Sequence, residues 1–546
     1  MLRTIGLVTS FAFLLAACGG GNDSGPPPPT YTVGGTVTGL AGPGLVLRNG
    51  GRDNLPISAS GAFTFATRMP SGSSYTVTVK SSPTSPLQVC MVADGVGTVA
   101  ATDVTNVDVT CVSGYTIGGT VSGLAGSGLV LQIVGVYAEG HQRPVISPFG
   151  PPLKITSNGP FTFDIVYPEV IAFPTFAKVL QQPASPSQLC MVHNATLNLH
   201  ANNVTDIEVV CSQFSYVANA GDNTVSAYTV DATSGALAAV GTPVATGTSP
   251  HAIVGTQDRQ YVFVGSEGSN DISAFAVNFA SGALTAVPGS PYAAGTDPTA
   301  LALYRGMIGT YLYVANAGSD TVSAFAVDTS SGSLTPLSPA TFATGKGPSS
   351  IVVDPTGGFI YVANNGGSND VSAFSVDPAT GILAPVAGSP FPAGANPLSL
   401  ALGATGKFLF TANPDATNPS ISGFNVDASS GALTPLSGSP FPLAVSHHIA
   451  TDRTGAYLYV TSGTGVVGYG IDGTTGMLTP LPGFPVVTGT DAYSVILDPF
   501  NQFLYVANKG AADVSGFGFD ASTGALTPMP DSPFPAGNLP EFLTTL

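Results

Sequence analysis

The sequence predicts an all-β protein in which two β-sandwich modules are followed by a seven-bladed β-propeller. Short apolar runs alternate with turns that draw on 68 glycines and 46 prolines among 546 residues. Two pairs of cysteines share one spacing, and a Tyr-Val-Ala-Asn-like tetrapeptide recurs at intervals of 46–50 residues, a period typical of propeller blades. The seven tetrapeptides begin at Tyr216, Phe263, Tyr313, Tyr361, Phe410, Tyr459 and Tyr505.

Each repeat contains the elements of one blade. In the fourth, the turn Asp354-Pro-Thr-Gly separates two apolar runs, and Asp377-Pro-Ala-Thr-Gly separates two more. Proline and glycine occupy positions that turn geometry favours, and the runs alternate small or polar residues with Val, Ile and Phe. We therefore expect four antiparallel strands, over about 350–353, 359–363, 371–376 and 383–386.

The two ends of the repeat array predict how the propeller, residues 214–546, closes. The first unit begins at its second strand, near Phe214, whereas the chain ends with a strand of first-strand character, Pro540 to Leu546. Pairing this last strand with the first unit would complete one shared blade. It would also remove an exposed sheet edge, which proteins generally avoid.

Two related modules precede the propeller, at residues 31–113 and 114–213. Tyr31-Thr-Val-Gly-Gly-Thr-Val recurs as Tyr115-Thr-Ile-Gly-Gly-Thr-Val, and Phe63-Thr-Phe recurs as Phe161-Thr-Phe. Their length and short alternating strands predict β-sandwiches. They resemble the immunoglobulin-like stalk modules of bacterial surface lipoproteins, which implies a spacer role.

The cysteines of these modules predict two disulfides. Cys90 and Cys111 are 21 residues apart, as are Cys190 and Cys211. Matched pairs in an exported chain favour one disulfide in each module. No further His or Cys lies between them at the spacing of zinc ligands.

The amino terminus resembles a bacterial lipoprotein signal. Residues 1–17 hold Arg3 and an apolar stretch too short to span a bilayer, and Leu15-Ala-Ala-Cys18 follows the pattern of the cleavage site. The resemblance implies lipidation of Cys18, a tether over residues 18–30, and an envelope protein held at the outer membrane because Gly19 follows the cysteine. The membrane, reached through Cys18, is thus an expected partner.

Charge excludes one class of partner. Residues 214–546 carry 6 Lys and Arg against 21 Asp and Glu, a balance of −15. An acidic propeller is repelled by nucleic acid, so we predict no nucleic-acid binding. The sequence also shows no cofactor motif, and we predict no cofactor.

The repeats resemble the lactonase-type propellers, the family of 6-phosphogluconolactonase and carboxymuconate cyclase, and the related YVTN repeats. The run Asp354-Pro-Thr-Gly-Gly-Phe-Ile-Tyr-Val-Ala-Asn carries the resemblance. The family's active blade reads about Pro-Arg-His-Ile-Ala, followed by Tyr-Val-x-Asn-Glu. Here Ser446-His447-His448-Ile-Ala replaces the arginine by His447, and Gly463 stands where the glutamate is expected. The blade from Pro250 keeps His251 and Glu267 at the right separation.

Repeat alignment places one set of polar residues at a single mouth of the central channel. First strands start, and second strands end, at the same face of a propeller. From this set we select His251 and Glu267 as candidate catalytic residues and His447, His448, Tyr493, Lys509 and Glu541 as candidate binding residues. The three arginines of the propeller fall in or beside the opposite hairpins, which leaves Lys509 as the cation at the mouth.

Three interpretations of the mouth stay open at this stage. The histidines are polar rim residues, a binding or acid–base site built on His251 and Glu267, or ligands of zinc or copper if they converge. We predict no metal site. Our first hypothesis is a non-catalytic envelope protein that binds a protein or glycan at the mouth, and the alternative is a lactonase acting on a ring ester.

Overall fold

The computed structural model confirms the predicted all-β fold. It describes residues 28–51, 53–137, 145–148, 150–163, 167–168, 175–196, 203–355, 357–443 and 447–546. Within these ranges every regular element is a β-strand, and no helix is long and apolar enough to cross a bilayer. The lipidation prediction at Cys18 falls outside the described residues.

The described residues fall into two compact units. One contains the first module, up to residue 117, together with parts of 163–173 and 198–204. The other contains residues from 118–162, 174–197 and 205–546, so that most of the second module is grouped with the propeller.

The first module is a sandwich of two sheets. Val104–Tyr115 pairs in parallel with Val33–Thr38 and antiparallel with Gln88–Ala93. Leu45–Asn49 and Ser74–Ser81 pair at the centre of the second sheet, and Val33, Leu47, Phe65 and Val107 belong to the core between the sheets. The remaining strands are Thr30–Tyr31, Asp53–Ile57, Gly61–Thr64, Met69–Pro70 and Val96–Thr98.

The second module repeats this plan. Ile117–Ser122 lies between Gly159–Thr162 and Val204–Val210 in one sheet, while Leu129–Tyr137 pairs with Thr175–Gln181 in the other. The remaining strands are Val145–Pro148, Leu153–Ile155, Tyr167–Pro168 and Met191–His193.

Both predicted disulfides are present. Cys90–Cys111 and Cys190–Cys211 each join neighbouring backbone segments with Cα atoms 4.0 Å apart.

Seven antiparallel sheets form the propeller, and we number the blades 1 to 7 in the chain order of their second strands. First strands line the channel: Pro540–Thr545 in blade 1, then Pro250–Gly255, Pro298–Arg305, Pro348–Val353, Ser399–Leu402, Ile449–Thr451 and Ala492–Leu497. Second strands are Gln213–Asn219, Tyr261–Ser266, Thr310–Asn316, Phe359–Asn364, Phe408–Asn413, Tyr457–Ser462 and Phe503–Asn508.

The outer strands follow in the same order. Third strands are Thr224–Val230, Asp271–Val277, Thr321–Val327, Asp370–Val376, Ser420–Val426, Gly465–Ile471 and Asp513–Phe519. Fourth strands are Leu237–Ala239, Leu284–Ala286, Leu334–Ala343, Leu383–Pro385, Leu433–Pro435, Leu478–Pro480 and Leu526–Pro528. Short additional strands pair with the third strands at Val244–Ala245, Tyr292–Ala293, Phe391–Pro392, Phe441–Pro442, Val486–Val487 and Phe534–Pro535.

The last strand of the chain closes the ring, as predicted. Pro540–Thr545 pairs antiparallel with Gln213–Asn219, with Val217 opposite Leu543. The backbone amide of Leu546 donates to the carbonyl of Phe214 at 2.8 Å. Blade 1 is therefore built from both ends of the propeller sequence.

The tyrosine of the repeated tetrapeptide binds one blade to the next. Its hydroxyl donates to a glycine carbonyl of the following blade, as from Tyr313 to Gly381 at 2.6 Å and from Tyr361 to Gly431 at 3.0 Å. The side chains of Phe263 and Phe410 fill the same buried position without a hydroxyl. The motif thus serves blade packing, which explains why it predicts fold rather than activity.

Candidate functional site

Two rings of side chains from the first strands form the mouth. The mouth ring consists of one residue from the start of each first strand or from the segment that leads into that strand: His251, Thr299, Ser349, Leu398, His447, Tyr493 and Glu541. The next residue supplies the channel ring: Ala252, Ala300, Ser350, Ser399, His448, Ser494 and Phe542. All seven channel-ring residues line one central cavity of about 270 Å³.

An ion-paired network occupies the part of the mouth formed by blades 7, 1 and 2, which we call the charged arc. One carboxylate oxygen of Glu541 contacts Nδ1 of His251, and the other accepts from Nζ of Lys509 at 2.5 Å. Nζ of Lys509 also lies 4.7 Å from the ring centroid of Tyr493, within the range of a cation–π contact. The side chain of Glu541 is only 7% exposed, so this charge depends on its two partners.

Opposing effects set the ionisation of Glu541. Burial by itself would raise the pKa of this carboxyl, but its hydrogen bonds to His251 and Lys509 and their charges outweigh burial and hold the pKa below its usual range. Burial also raises the pKa of the Tyr493 phenol, and the nearby charges of Glu541 and Glu267 raise it further. Glu541 is therefore a carboxylate and Tyr493 a neutral phenol near pH 7.

Aromatic rings fill the space beside this network. The ring of Phe542 lies with its centroid 5.1 Å from that of His251, 5.2 Å from that of His448 and 5.7 Å from that of Tyr493. The gap that remains among these side chains is about 20 Å³, room for roughly one water molecule. The side chains around this gap are thus closely packed.

On the other side of the ring, blades 3 to 6 form what we call the bridging arc, where the mouth-ring side chains of blades 3, 4 and 6 face a backbone carbonyl of the next blade. The Thr299 hydroxyl donates to the Pro348 carbonyl at 2.7 Å, and the Ser349 hydroxyl donates to that of Pro397 at 2.9 Å. In blade 6, Nδ1 of His447 faces the equivalent carbonyl, that of Ala492, at 3.5 Å. His447 therefore stands in the place of a bridging hydroxyl.

In blades 4 to 6, the channel-ring side chains accept from a backbone amide of the next blade instead. The Ser350 hydroxyl accepts from the backbone amide of Leu400 at 3.1 Å, and Nδ1 of His448 accepts from that of Val495 at 3.3 Å. An accepting Nδ1 places the proton of the neutral ring on Nε2. Burial lowers the pKa of His448 to about 4, which keeps the ring neutral and able to accept.

The structure brings the predicted mouth residues together but corrects one expected contact. No ion pair joins Glu267 to His251 among the described residues, and the carboxylate at His251 belongs to Glu541. Glu267 is half-buried at the end of its strand, where its backbone amide donates to the carbonyl of Ser249 at 2.9 Å. Repeat alignment predicts how far along the channel a residue lies. It does not predict which residue of a neighbouring blade contacts that residue.

Phe542 is the main mouth residue that the sequence reasoning missed. It occupies the same place in its strand as His448 does in blade 6, so an alignment of the third strand positions would have found it.

The metal alternative finds no geometric support. Among the described residues, no group of three or more His, Cys, Asp or Glu side chains converges as metal ligands would. The three propeller histidines do cluster around Tyr493 and Phe542, but Nδ1 of His448 is occupied by a backbone amide.

Comparisons with known proteins agree with this fold. The profile of the family described as Lactonase, 7-bladed beta-propeller matches residues 185–302, 287–395 and 389–540. No curated protein sequence matches the chain.

Solved structures of similar fold include three lactonase-like proteins. A candidate 6-phosphogluconolactonase from Bacteroides uniformis is 17% identical, with a TM-score of 0.54 over 61% of this chain and 99% of its own. Its counterpart from Bacteroides fragilis is 19% identical, with a TM-score of 0.53 over 61% and 98%. The periplasmic gluconolactonase PpgL of Pseudomonas aeruginosa is 20% identical, with a TM-score of 0.51 over 61% and 99%.

Identities this low establish the shared fold alone. Together, however, the profile matches cover residues 185–540, well over half of the sequence, and they coincide with the repeat array, the seven blades and the ring closure described above. The chain therefore belongs to the lactonase family of seven-bladed β-propellers.

Proposed function

We propose that this chain is a lipid-anchored protein of the bacterial cell envelope whose propeller binds a protein or a glycan without hydrolysing it. The observation that carries the proposal is the engagement of the mouth's ionisable groups. Glu541 is held between His251 and Lys509, and His447 and His448 face backbone groups of the next blade. A catalytic acid or base needs to reach a substrate, whereas the Glu541 carboxylate and the Nδ1 atoms of both adjacent histidines contact groups within the ring.

The loops around the mouth are suited to recognition. They follow the second strands and are rich in Ser, Asn, Asp and Gly, as in 365–369 and 414–420. Small polar side chains of this kind offer adaptable hydrogen bonding to a ligand. The acidic balance of −15 over the propeller favours neutral or basic partners over anionic ones.

Photocrosslinking in intact cells tests this binding role. A photoreactive residue at Ala317, on a loop of the mouth face, should give a discrete adduct with an envelope protein or polysaccharide. The matched control is Ala521, in an exposed hairpin of the opposite face, where no such adduct should form. Identical adducts at both positions, or none at Ala317, would contradict recognition at the mouth.

Anchoring rests on the Leu15-Ala-Ala-Cys18 signal and on the expected multiple acylation of Cys18, because stable membrane attachment needs more than one acyl chain. Replacing Cys18 by Ser should move the protein into the soluble fraction. Membrane association that persists in Cys18→Ser would exclude the lipid anchor.

Hydrolysis of a lactone is the second candidate function, and one contact favours it. A carboxylate on Nδ1 of His251 orients the imidazole as it does in acid–base sites, and Nε2 of His251 has no hydrogen-bond partner among the described residues. The mouth cation Lys509 is paired with Glu541, so the substrate would be an uncharged ring ester rather than a phosphosugar. Uncharged lactone hydrolysis that His251→Ala abolishes would establish this alternative.

A further inference from the structure

One hairpin of blade 2 departs from the repeat in a way that packing of the propeller does not explain. Arg259 lies in the turn between the first and second strands with φ of 59°, a left-handed conformation that side chains disfavour. The equivalent turns of blades 4, 5 and 6 have Gly357, Gly406 and Gly455 at φ of 69–74°. Blade 7 has Asn501, a residue that tolerates this conformation.

The strained residue is also a buried cation. Arg259 is 5% exposed, and no carboxylate forms an ion pair with it among the described residues. Burial lowers its pKa to about 10, so the guanidinium stays charged at neutral pH. A buried charge without a counter-ion persists only where other groups satisfy it, and strain of this kind points to a specific role.

The partners of Arg259 belong to the end of the second module. Its Nη1 donates to the carbonyl of Ser212 at 2.8 Å and to that of Leu189 at 3.3 Å. These residues flank the disulfide directly, since Leu189 precedes Cys190 and Ser212 follows Cys211. The disulfide therefore keeps the two carbonyls close enough for one guanidinium to bind both.

Further contacts surround this point. The ring of His193 stacks on Phe279, with centroids 3.6 Å apart, and Phe279 lies in the hairpin between the third and fourth strands of blade 2. The second module thus meets the propeller through polar and aromatic contacts on blade 2.

We propose that Arg259 and the Cys190–Cys211 disulfide form a rigid joint that docks the second module on the face of the propeller opposite the mouth. Hairpins between first and second strands lie at the end of the blades remote from the starts of the first strands. The contacts of Arg259 therefore lie at the face of the propeller remote from the mouth ring. The proposal is independent of what the mouth binds or whether it is catalytic.

Hydrogen exchange of the full chain in detergent tests the joint. Arg259→Gly restores the residue that blades 4 to 6 carry, so the propeller itself should fold and backbone strain should fall. We expect amides of 189–193 and 209–212 to exchange at least about tenfold faster in this variant, while those of blade 6, residues 457–462, stay unchanged. Unchanged exchange of 189–193 and 209–212 would overturn the proposal.

The two disulfides provide a matched comparison for the second half of the joint. The double variant Cys190→Ser/Cys211→Ser should raise exchange in 189–193 and 209–212 as Arg259→Gly does. Cys90→Ser/Cys111→Ser removes the equivalent bond of the first module and should leave those amides protected. Protection retained in Cys190→Ser/Cys211→Ser would overturn the role of the disulfide in the joint. The role of Arg259 in the joint is decided separately by the exchange of Arg259→Gly.

Discussion

The bridging arc and the charged arc occupy the same strand positions in one ring, yet they use their side chains differently. In blades 3 to 6, hydroxyls and the two adjacent histidines bond to the backbone of the following blade. In blades 7, 1 and 2, the Glu541 carboxylate binds both Lys509 and His251. The contacts of the bridging arc join each blade to the next blade in the chain. The contacts of the charged arc join blades 7 and 2 to blade 1, which both ends of the propeller sequence build.

This difference shows that ionisable residues at a propeller mouth do not by themselves indicate catalysis. His447 and His448 replace the bridging roles of Ser349 and Ser350, and Glu541 ties the closing strand to blades on both sides. Each of these groups has a structural explanation in the contacts that it makes.

Removing the closing strand should abolish the charged arc and open the ring. Deletion of Pro540 to Leu546 leaves Gln213–Asn219 unpaired on one side and exposes apolar side chains of the clusters that hold Leu543 and Leu546, such as Val217 and Phe214. We expect loss of the cooperative unfolding transition, or aggregation, in calorimetry. A truncated chain with unchanged melting behaviour would show that closure lies elsewhere.

Neutralising Glu541 should be the most destabilising single substitution at the mouth. Glu541→Gln leaves His251 and Lys509 without their anion, and removing one partner of a buried ion pair is strongly destabilising. Because Lys509 is partly exposed, we expect the free energy of unfolding to fall by about 3 kcal/mol in denaturant unfolding. Glu267→Gln is the matched control, since no described residue forms an ion pair with this mouth carboxylate, and it should cost less than about 0.5 kcal/mol. Equal effects of the two variants would contradict the distinction.

His448 should make stability fall in mild acid. Its pKa is about 4 in the folded protein against about 6.5 when unfolded, so the unfolded chain binds the proton first. Stability is fully present above the unfolded pKa and falls by about 2 kcal/mol from pH 6.5 to 4.5. His448→Gln should flatten the pH dependence in this window, measured as the free energy of unfolding. A slope that His448→Gln leaves unchanged would mean that other groups cause it.

Single bridging hydroxyls should contribute least. Ser349→Ala removes one hydrogen bond between blades 4 and 5 and should cost about 1 kcal/mol. Ser494 is the control in the charged arc, because its buried hydroxyl has no hydrogen-bond partner among the described residues. Ser494→Ala should therefore be neutral in the same unfolding experiment, and a larger loss for Ser494→Ala than for Ser349→Ala would refute the contrast between the arcs.

The sequence predicts the architecture well because the same pattern of strands and turns recurs in seven repeats. Tyr313, Tyr361 and their equivalents mark each second strand, and the first-strand character of Pro540 to Leu546 indicates how the ring closes. Repeat alignment also places His251, His447, Tyr493 and Glu541 at one level of the channel. It does not predict that Glu541 rather than Glu267 reaches His251, because that depends on how far side chains extend across the ring.

Arg259 shows a second limit of the same kind. The sequence around Arg259 predicts an ordinary hairpin turn. Its partners Leu189 and Ser212 accept through backbone carbonyls, and a contact of this kind cannot be predicted from residue types. The available signal is the arginine itself, at a turn position where blades 4 to 6 have glycine.

We propose that the charged arc holds the ring together and does not hydrolyse a substrate. The most direct measurement is hydrolysis of a panel of uncharged lactones by the full chain, compared with His251→Ala, Glu541→Gln and Glu267→Gln. We expect no hydrolysis above buffer from any of the four proteins. Hydrolysis by the unsubstituted chain that falls about 10²-fold or more in His251→Ala and Glu541→Gln, but persists in Glu267→Gln, would contradict the claim and establish a lactonase.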